Sequence, residues 1–205
     1  MNAPLTTRER RRVQTRRDLA DAAVHLFERQ GFDGTTVEQI ADAANISVST
    51  FFRIFPRKED VVFYDLPDRL ESMRAEFAAS DHATAWQTVR DTFISNARTW
   101  DDEDESFGYT RAKLFHSERA LQARYLEMCL EWEEVVAEII AIERGADPRA
   151  DLYSRLVATT TVSAFRAAFT ARINGGGTGI ASLLEAAFDT LEAGLPAYER
   201  ARKPA

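Results

Sequence analysis

The chain has 205 residues, of which 45% are apolar and 29% charged, enough for one medium domain or a small head on a larger body, and too apolar to stay disordered. No apolar run reaches the roughly 18 residues of a membrane span, and the basic start lacks the apolar stretch of a secretory leader. A single cysteine and three scattered histidines exclude a disulfide framework and a Cys/His zinc cluster, so a reducing cytoplasm is the expected compartment.

The net charge of −7 is unevenly placed. Residues 1–17 hold six arginines and one acid, whereas residues 61–205 hold 16 basic and 24 acidic side chains. An acidic body with a basic end fits docking on a polyanion through that end alone; a solvated charged tail is the plain alternative. Arg8 to Arg12 stand as either an arm that orders on a partner or a solubilising tail.

Apolar residues recur at three- and four-residue spacing throughout, which predicts an all-α chain of about nine helices. The first predicted helix is Thr15–Gln30, with Leu19, Ala23, Leu26 and Phe27 on one face and Gly31 as its stop. Val37–Ala44 follows, with Thr36 and Gln39 in capping-box spacing. Val48–Ile54 is capped by Ser47 and blocked by Pro56. A fourth helix is expected from Lys58 toward Ala79, kinked or restarted at Pro67. The later helices are Ala83–Trp100, Phe107–His116, Glu118–Arg144, Arg149–Ile173 and Gly179–Ala201. They are separated by the Asp101–Glu105 acidic run, Gly145–Pro148 and Gly175-Gly176-Gly177.

The second and third helices have the makings of a helix-turn-helix. Such a pair needs a small residue where the helices touch, here Ala41, and a turn residue tolerant of positive φ, here Asn45. Ile46 can plug the turn, and Val37, Ile40, Ala44, Val48, Phe51 and Phe55 supply an apolar side facing the first helix. An arbitrary helical hairpin is the competing reading.

The stretch from Leu26 through Asp60, LFERQGFDGTTVEQIADAANISVSTFFRIFPRKED, closely resembles the tetracycline-repressor (TetR) family of bacterial regulators. Asn45 stands where that family usually has glycine. The resemblance implies a head of residues 1–57, comprising the N-terminal arm and the DNA-binding domain, and a helical ligand-sensing and dimerisation body of residues 58–205. It further implies a ligand-responsive regulator, most often a repressor, that binds a palindromic operator as a homodimer and is released by a small apolar or amphipathic effector.

In such a head the third helix enters the major groove. Ser47, Ser49, Thr50, Phe52 and Arg53 are then the candidate readers, with Phe52 divided between a thymine contact and core packing. Arg16 or Arg17, Thr36 and Lys58 are the candidates for phosphate; Thr36 and Lys58 rest on the resemblance. Helix N-termini favour phosphate on their own account.

In the body, Ala164, Ala168, Leu184, Phe188, Leu191 and Leu195 are candidates for pairing the last two helices with those of a second copy, with Ala167 and Ala171 as further small residues suited to close approach. Ordinary core is the alternative. Trp86, Phe93, Trp100, Phe115, His116, Tyr125, Met128, Cys129, Trp132, Phe165, Arg166 and Phe169 are candidates for an effector cavity, with Asn96 a further polar candidate; most large side chains of this kind are plain core. No nucleophile–base grouping, phosphate-binding glycine loop or metal spacing is present, so neither an enzyme nor a cofactor is expected. A protein-binding helical module is the remaining rival.

Overall fold

Helical spacing of apolar residues is realised along the whole computed structural model, which describes residues 6–79, 84–101, 105–175 and 179–194. Among these residues there are nine α-helices, one 3-10 helix and no strand. In chain order they are α1 (Thr7–Gln30), α2 (Val37–Ala43), α3 (Val48–Ile54), the 3-10 segment Glu59–Phe63, and α4 (Leu66–Ala79). Then come α5 (Ala85–Asp101), α6 (Glu105–Ser117), α7 (Arg119–Arg144), α8 (Leu152–Ile173) and α9 (Ile180–Ala193). No helix of the described residues is long and apolar enough to cross a membrane.

Most boundaries shift by three residues or fewer from the sequence-based expectation, and three differ by more. α1 begins at Thr7, not Thr15, so Arg8 and Arg10 to Arg12 are helical rather than an extended arm. Residues 7–14 contain neither proline nor glycine, and a helix already nucleated by its buried section extends through good helix formers at little cost. The fourth helix does not run from Lys58: a 3-10 turn intervenes and α4 starts at Leu66. Pro67 sits in the first turn, where its missing N–H would have had no intrahelical partner. It therefore starts the helix and makes no mid-helix weakness. α9 closes at Ala193, with Gly194 at φ 78° as its C-cap.

The chain forms two compact units, residues 1–68 with 106–126, and residues 69–105 with 127–205. The first is built on Leu19, Ala20, Ala23, Val24 and Phe27 of α1, all nearly inaccessible to solvent. Ile40 and Ala41 of α2, Phe51 and Phe55, and Val61 to Phe63 complete its core, and Phe63 stacks on Phe115 with centroids 4.6 Å apart. Phe51 alone, at 0% exposure, contributes about 2–3 kcal/mol by leaving water.

Two ion pairs fasten the 3-10 segment within this unit. Arg124 Nε lies 2.8 Å from Asp60 Oδ1, and the Arg111 guanidinium forks onto Asp65 at 3.2 and 3.3 Å. The Arg111 side chain is fully buried.

In the second unit α5 and α9 run antiparallel, laced by Trp86 to Glu192, Arg90 to Asp189 and Arg98 to Glu185. The Asp101 carboxylate at the end of α5 accepts from the backbone N–H groups of Ile180 (2.7 Å) and Ala181 (3.0 Å), capping α9. A Cβ at Gly179 would lie 2.5 Å from Asp101 Oδ2, which explains the glycine there. Beneath this lacing, Val89, Phe93 and Ala97 of α5 and Leu184 and Phe188 of α9 are buried, and both helices pack on α8.

Candidate nucleic-acid interface and aromatic interior

The turn between α2 and α3 is set by local chemistry. Asn45 has φ 54°, the one non-glycine residue in the left-handed region among those described. Its N–H donates to Asp42 O at 2.9 Å and that of Ile46 to Ala41 O at 2.9 Å, which closes α2. Ahead of α2, the Thr36 hydroxyl accepts from Gln39 N while Gln39 Oε1 accepts from Thr36 N, the reciprocal capping box expected from the spacing. Gln30 Nε2 reaches over from α1 to the same Gln39 oxygen at 2.8 Å and to Gly34 O.

α3 opens on Ser47, whose hydroxyl accepts from Thr50 N and lies within 3.0 Å of the Ser49 and Thr50 hydroxyls. Phe51 anchors the helix from beneath. Ser49, Phe52 and Arg53 face solvent and Thr50 is half-buried. Phe52 is 50% exposed with its edge against Phe51, centroids 5.6 Å apart. Its core reading is thereby removed, because the neighbouring Phe51 fills that place. What results is a short, capped helix with a hydroxyl cluster, a flat apolar ring and a guanidinium on its open side. That set can donate to and accept from base edges and touch a thymine methyl.

Three phosphate candidates look different in the structure. Arg16 is buried and pairs with Asp68 at 3.3 Å, so its charge is engaged within the protein. Arg17 is exposed. Lys58 does not stand at the start of α4. Its Nζ donates to the carbonyls of Phe32 (2.7 Å) and Thr35 (2.9 Å) and lies 3.9 Å over the Phe32 ring. Lys58 thus ties the loop between α1 and α2 to the segment after α3. Thr36 is exposed, but Glu38 lies in the same first turn. Backbone N–H donation and then the Thr36 hydroxyl hold the Glu38 carboxyl below its usual range.

Burial places four of the six pairing candidates in this chain's own core. Leu184 and Phe188 have 0% exposure, and Ala164 and Ala168 are nearly as hidden, all within this chain's own α5–α8–α9 packing. Leu191 is half-buried, and Leu195 lies outside the described residues. Among the small residues that α8 and α9 leave open are Ser163, Ala167, Ala171, Ser182 and Ala186.

The effector candidates fall into two sets. Phe115, His116 and Tyr125 belong to the first unit; Tyr125 stacks on Phe115 at 5.9 Å, and His116 Nδ1 sits 3.2 Å from Ala112 O. In the second unit Trp100, Phe169, Phe165, Trp132 and Phe93 form a continuous chain of ring contacts, with centroids 5.3–6.4 Å apart. Arg69 caps the Trp100 end, its guanidinium 4.3 Å from the ring centre. Met128 and Cys129 are buried. Trp86 is half-buried at the α5–α9 seam and donates to Glu192. Arg166 is exposed, which takes it out of any interior site. Asn96 is buried and donates to Thr92 O within its own helix at 3.0 Å.

Arg111 and Thr161 are among the buried polar residues that escaped the sequence reading. Each stands at an apolar register position, Arg111 three and four residues before Leu114 and Phe115, Thr161 four before Phe165. That placement was the available signal. Among the described residues no group of three or more His, Cys, Asp or Glu could hold a metal ion.

Comparison with known proteins agrees with this arrangement. Residues 19–64 match the family of bacterial regulatory proteins of the tetR family, and residues 83–196 match the MftR C-terminal domain. The chain is 26% identical to the putative mycofactocin biosynthesis transcriptional regulator MftR of Mycobacterium tuberculosis, covering 91% of this chain and 93% of that one. It is 31% identical to the HTH-type transcriptional regulator TcmR of Streptomyces glaucescens, over 73% and 69% of the two chains. The crystal structure of Thermus thermophilus FadR, a TetR-family repressor in complex with lauroyl-CoA, shares the fold with a TM-score of 0.57 at 24% identity, covering 88% of this chain and 94% of that one. With a TetR-type head, an MftR-type body and relatives that are regulators rather than enzymes, this chain belongs to the TetR family of transcriptional regulators.

Proposed function

We propose that the protein is a ligand-responsive repressor that binds a palindromic operator as a homodimer and leaves it when an apolar or amphipathic effector enters the body. The observation that carries this reading is the open side of α3, where Ser49, Phe52 and Arg53 project from a helix held by buried Phe51. Thr50 and the Ser47 cap complete that side, Arg17 and Thr36 flank it, and residues 1–57 act as the head. Lys58 supports the head from within. Two-fold binding requires recognition helices about 34–36 Å apart; the open small residues of α8 and α9 suit close approach of a second copy. The acyl-CoA in the FadR neighbour and the aromatic interior here support an effector with a large apolar part. Its entry would act by favouring one of two body conformations.

A mobility-shift assay with DNA flanking the coding region tests the reading. Discrete binding is expected, with log affinity falling against log salt at a slope of about −5 to −7 if a dimer neutralises roughly six to eight phosphates. Arg53→Ala should weaken operator binding by about 1–3 kcal/mol and leave the melting temperature unchanged. A flat salt response together with an indifferent R53A variant would refute operator recognition by α3.

A further inference from the structure

The ring chain of the second unit contains two polar groups that its own fold leaves unsatisfied. Trp132 is 5% exposed and Thr161 0%. Trp132 Nε1 and Thr161 Oγ1 are both buried with no hydrogen-bond partner. Buried donors nearly always have partners, and each exception calls for a physical cause. The Thr161 case is pointed. A helical threonine readily donates to the carbonyl one turn back, as Thr170 does to Arg166 O at 2.8 Å further along the same helix. Thr161 makes no such bond.

Phe165 is a neighbour of both residues. Trp132 of α7 stacks on its ring at 23° and 5.9 Å, and Thr161 stands one turn before it on the buried face of α8. Phe93 of α5 closes a second side, edge-on to Trp132 at 5.3 Å and to Phe165 at 6.4 Å. The walls are therefore flat rings, and the two polar groups are uncharged. An indole N–H can only donate, so the group that satisfies it must be an acceptor.

We infer that Trp132 Nε1 and Thr161 Oγ1 are the polar anchors of the effector site, and that they select an uncharged, flat ligand that bears a carbonyl or comparable acceptor and lies against this aromatic cluster. The inference rests on the reading of the body as an effector sensor and specifies the class of molecule sensed. A ligand lacking the acceptor leaves both groups stranded and binds more weakly, as sites built around a hydrogen bond reject analogues without it.

The test uses the full chain and two probes of one shape, 9-fluorenone and fluorene, which differ only in carrying a carbonyl or a methylene. Equilibrium dialysis of the wild type should show fluorenone binding at least about tenfold more tightly, a difference of about 1.4 kcal/mol. Trp132→Phe and Thr161→Val should each bring the ratio toward one by weakening fluorenone while fluorene holds. Equal binding of the two probes to the wild type, absence of binding by either, or a ratio that survives both substitutions would overturn the assignment.

Melting of the ligand-free protein gives a second readout. Removing a stranded hydroxyl should make T161V melt higher by about 2–4 °C. A lower melting temperature would mean the hydroxyl was satisfied, and would equally overturn the assignment. Dialysis needs no DNA, so failure of operator binding would remove the repressor reading without touching this result.

Discussion

The Arg111–Asp65 pair offers the sharpest quantitative test of the first unit. Arg111 is fully buried, and its two terminal nitrogens meet the two Asp65 oxygens at 3.2 and 3.3 Å. Asp65→Ala would leave a guanidinium in the interior with its principal counter-charge gone. Breaking a buried pair from one side costs about 3–5 kcal/mol, because the surviving charge remains desolvated. At roughly 2–4 °C per kcal/mol for chains of this length, the melting temperature should fall by about 6–20 °C. Thermal unfolding followed by far-ultraviolet circular dichroism reads this directly. The double variant Asp65→Leu with Arg111→Met removes both charges and should recover most of the loss, since apolar replacements of buried pairs are often neutral or better. A D65A variant that melts within about 2 °C of the wild type, or a double variant no better than the single, would refute the claim that burial makes this pair decisive.

Lys58→Met should cost about 1–3 kcal/mol in stability through the loss of charged donors to Phe32 O and Thr35 O, while the salt slope of operator binding stays as in the wild type; a slope reduced by about one with stability intact would return Lys58 to phosphate contact. Gly179→Ala drives a Cβ to 2.5 Å from Asp101 Oδ2 and should displace the α9 cap, lowering stability by about 1–3 kcal/mol in urea unfolding; an unchanged midpoint would show that the cap adjusts freely. The Asp151 carboxyl is held below 3.8 by the Ser154 hydroxyl first, then Ser154 N–H and Arg144. Its contribution is therefore complete well above pH 3.8 and lost as pH falls through the depressed folded value. Asp151→Ala should melt lower than the wild type at pH 7, with the gap closing in acid below that point; a gap that persists in strong acid would contradict the linkage.

What was legible in the sequence was what neighbouring residues decide. The Thr36–Gln39 capping box, the Ser47 cap, the left-handed Asn45 and the buried Ile40, Ala41 and Phe51 all lie between positions 36 and 51, and their chemistry permits few alternatives. The aromatic cluster was visible as composition but not as geometry. Long-range pairing was invisible. Arg16 with Asp68, Lys58 with the 32–35 loop, Arg111 with Asp65 and Asp101 with the α9 amides join positions 23 to 80 residues apart, and no local pattern marks which charge will be enclosed. Leu184 and Phe188 show the same limit for apolar residues, since a stripe facing its own core reads like one facing a second copy. Pro67 was readable as an interruption, yet whether it kinks or starts a helix depends on the 3-10 turn before it.

The early start of α1 makes the arginine-rich end a rod rather than a string. Residues 7–14 add about 12 Å of helix at 1.5 Å per residue, beyond the roughly 8 Å over which physiological salt screens a charge. The outermost guanidinium groups are thus felt locally, and their bearings around the axis are locked to the buried register of Leu19 and Ala23. One alanine inserted after Thr15 would swing Arg8, Arg10, Arg11 and Arg12 by about 100° together, so the position of these charges is written in phase, whereas a loose tail would register only their number.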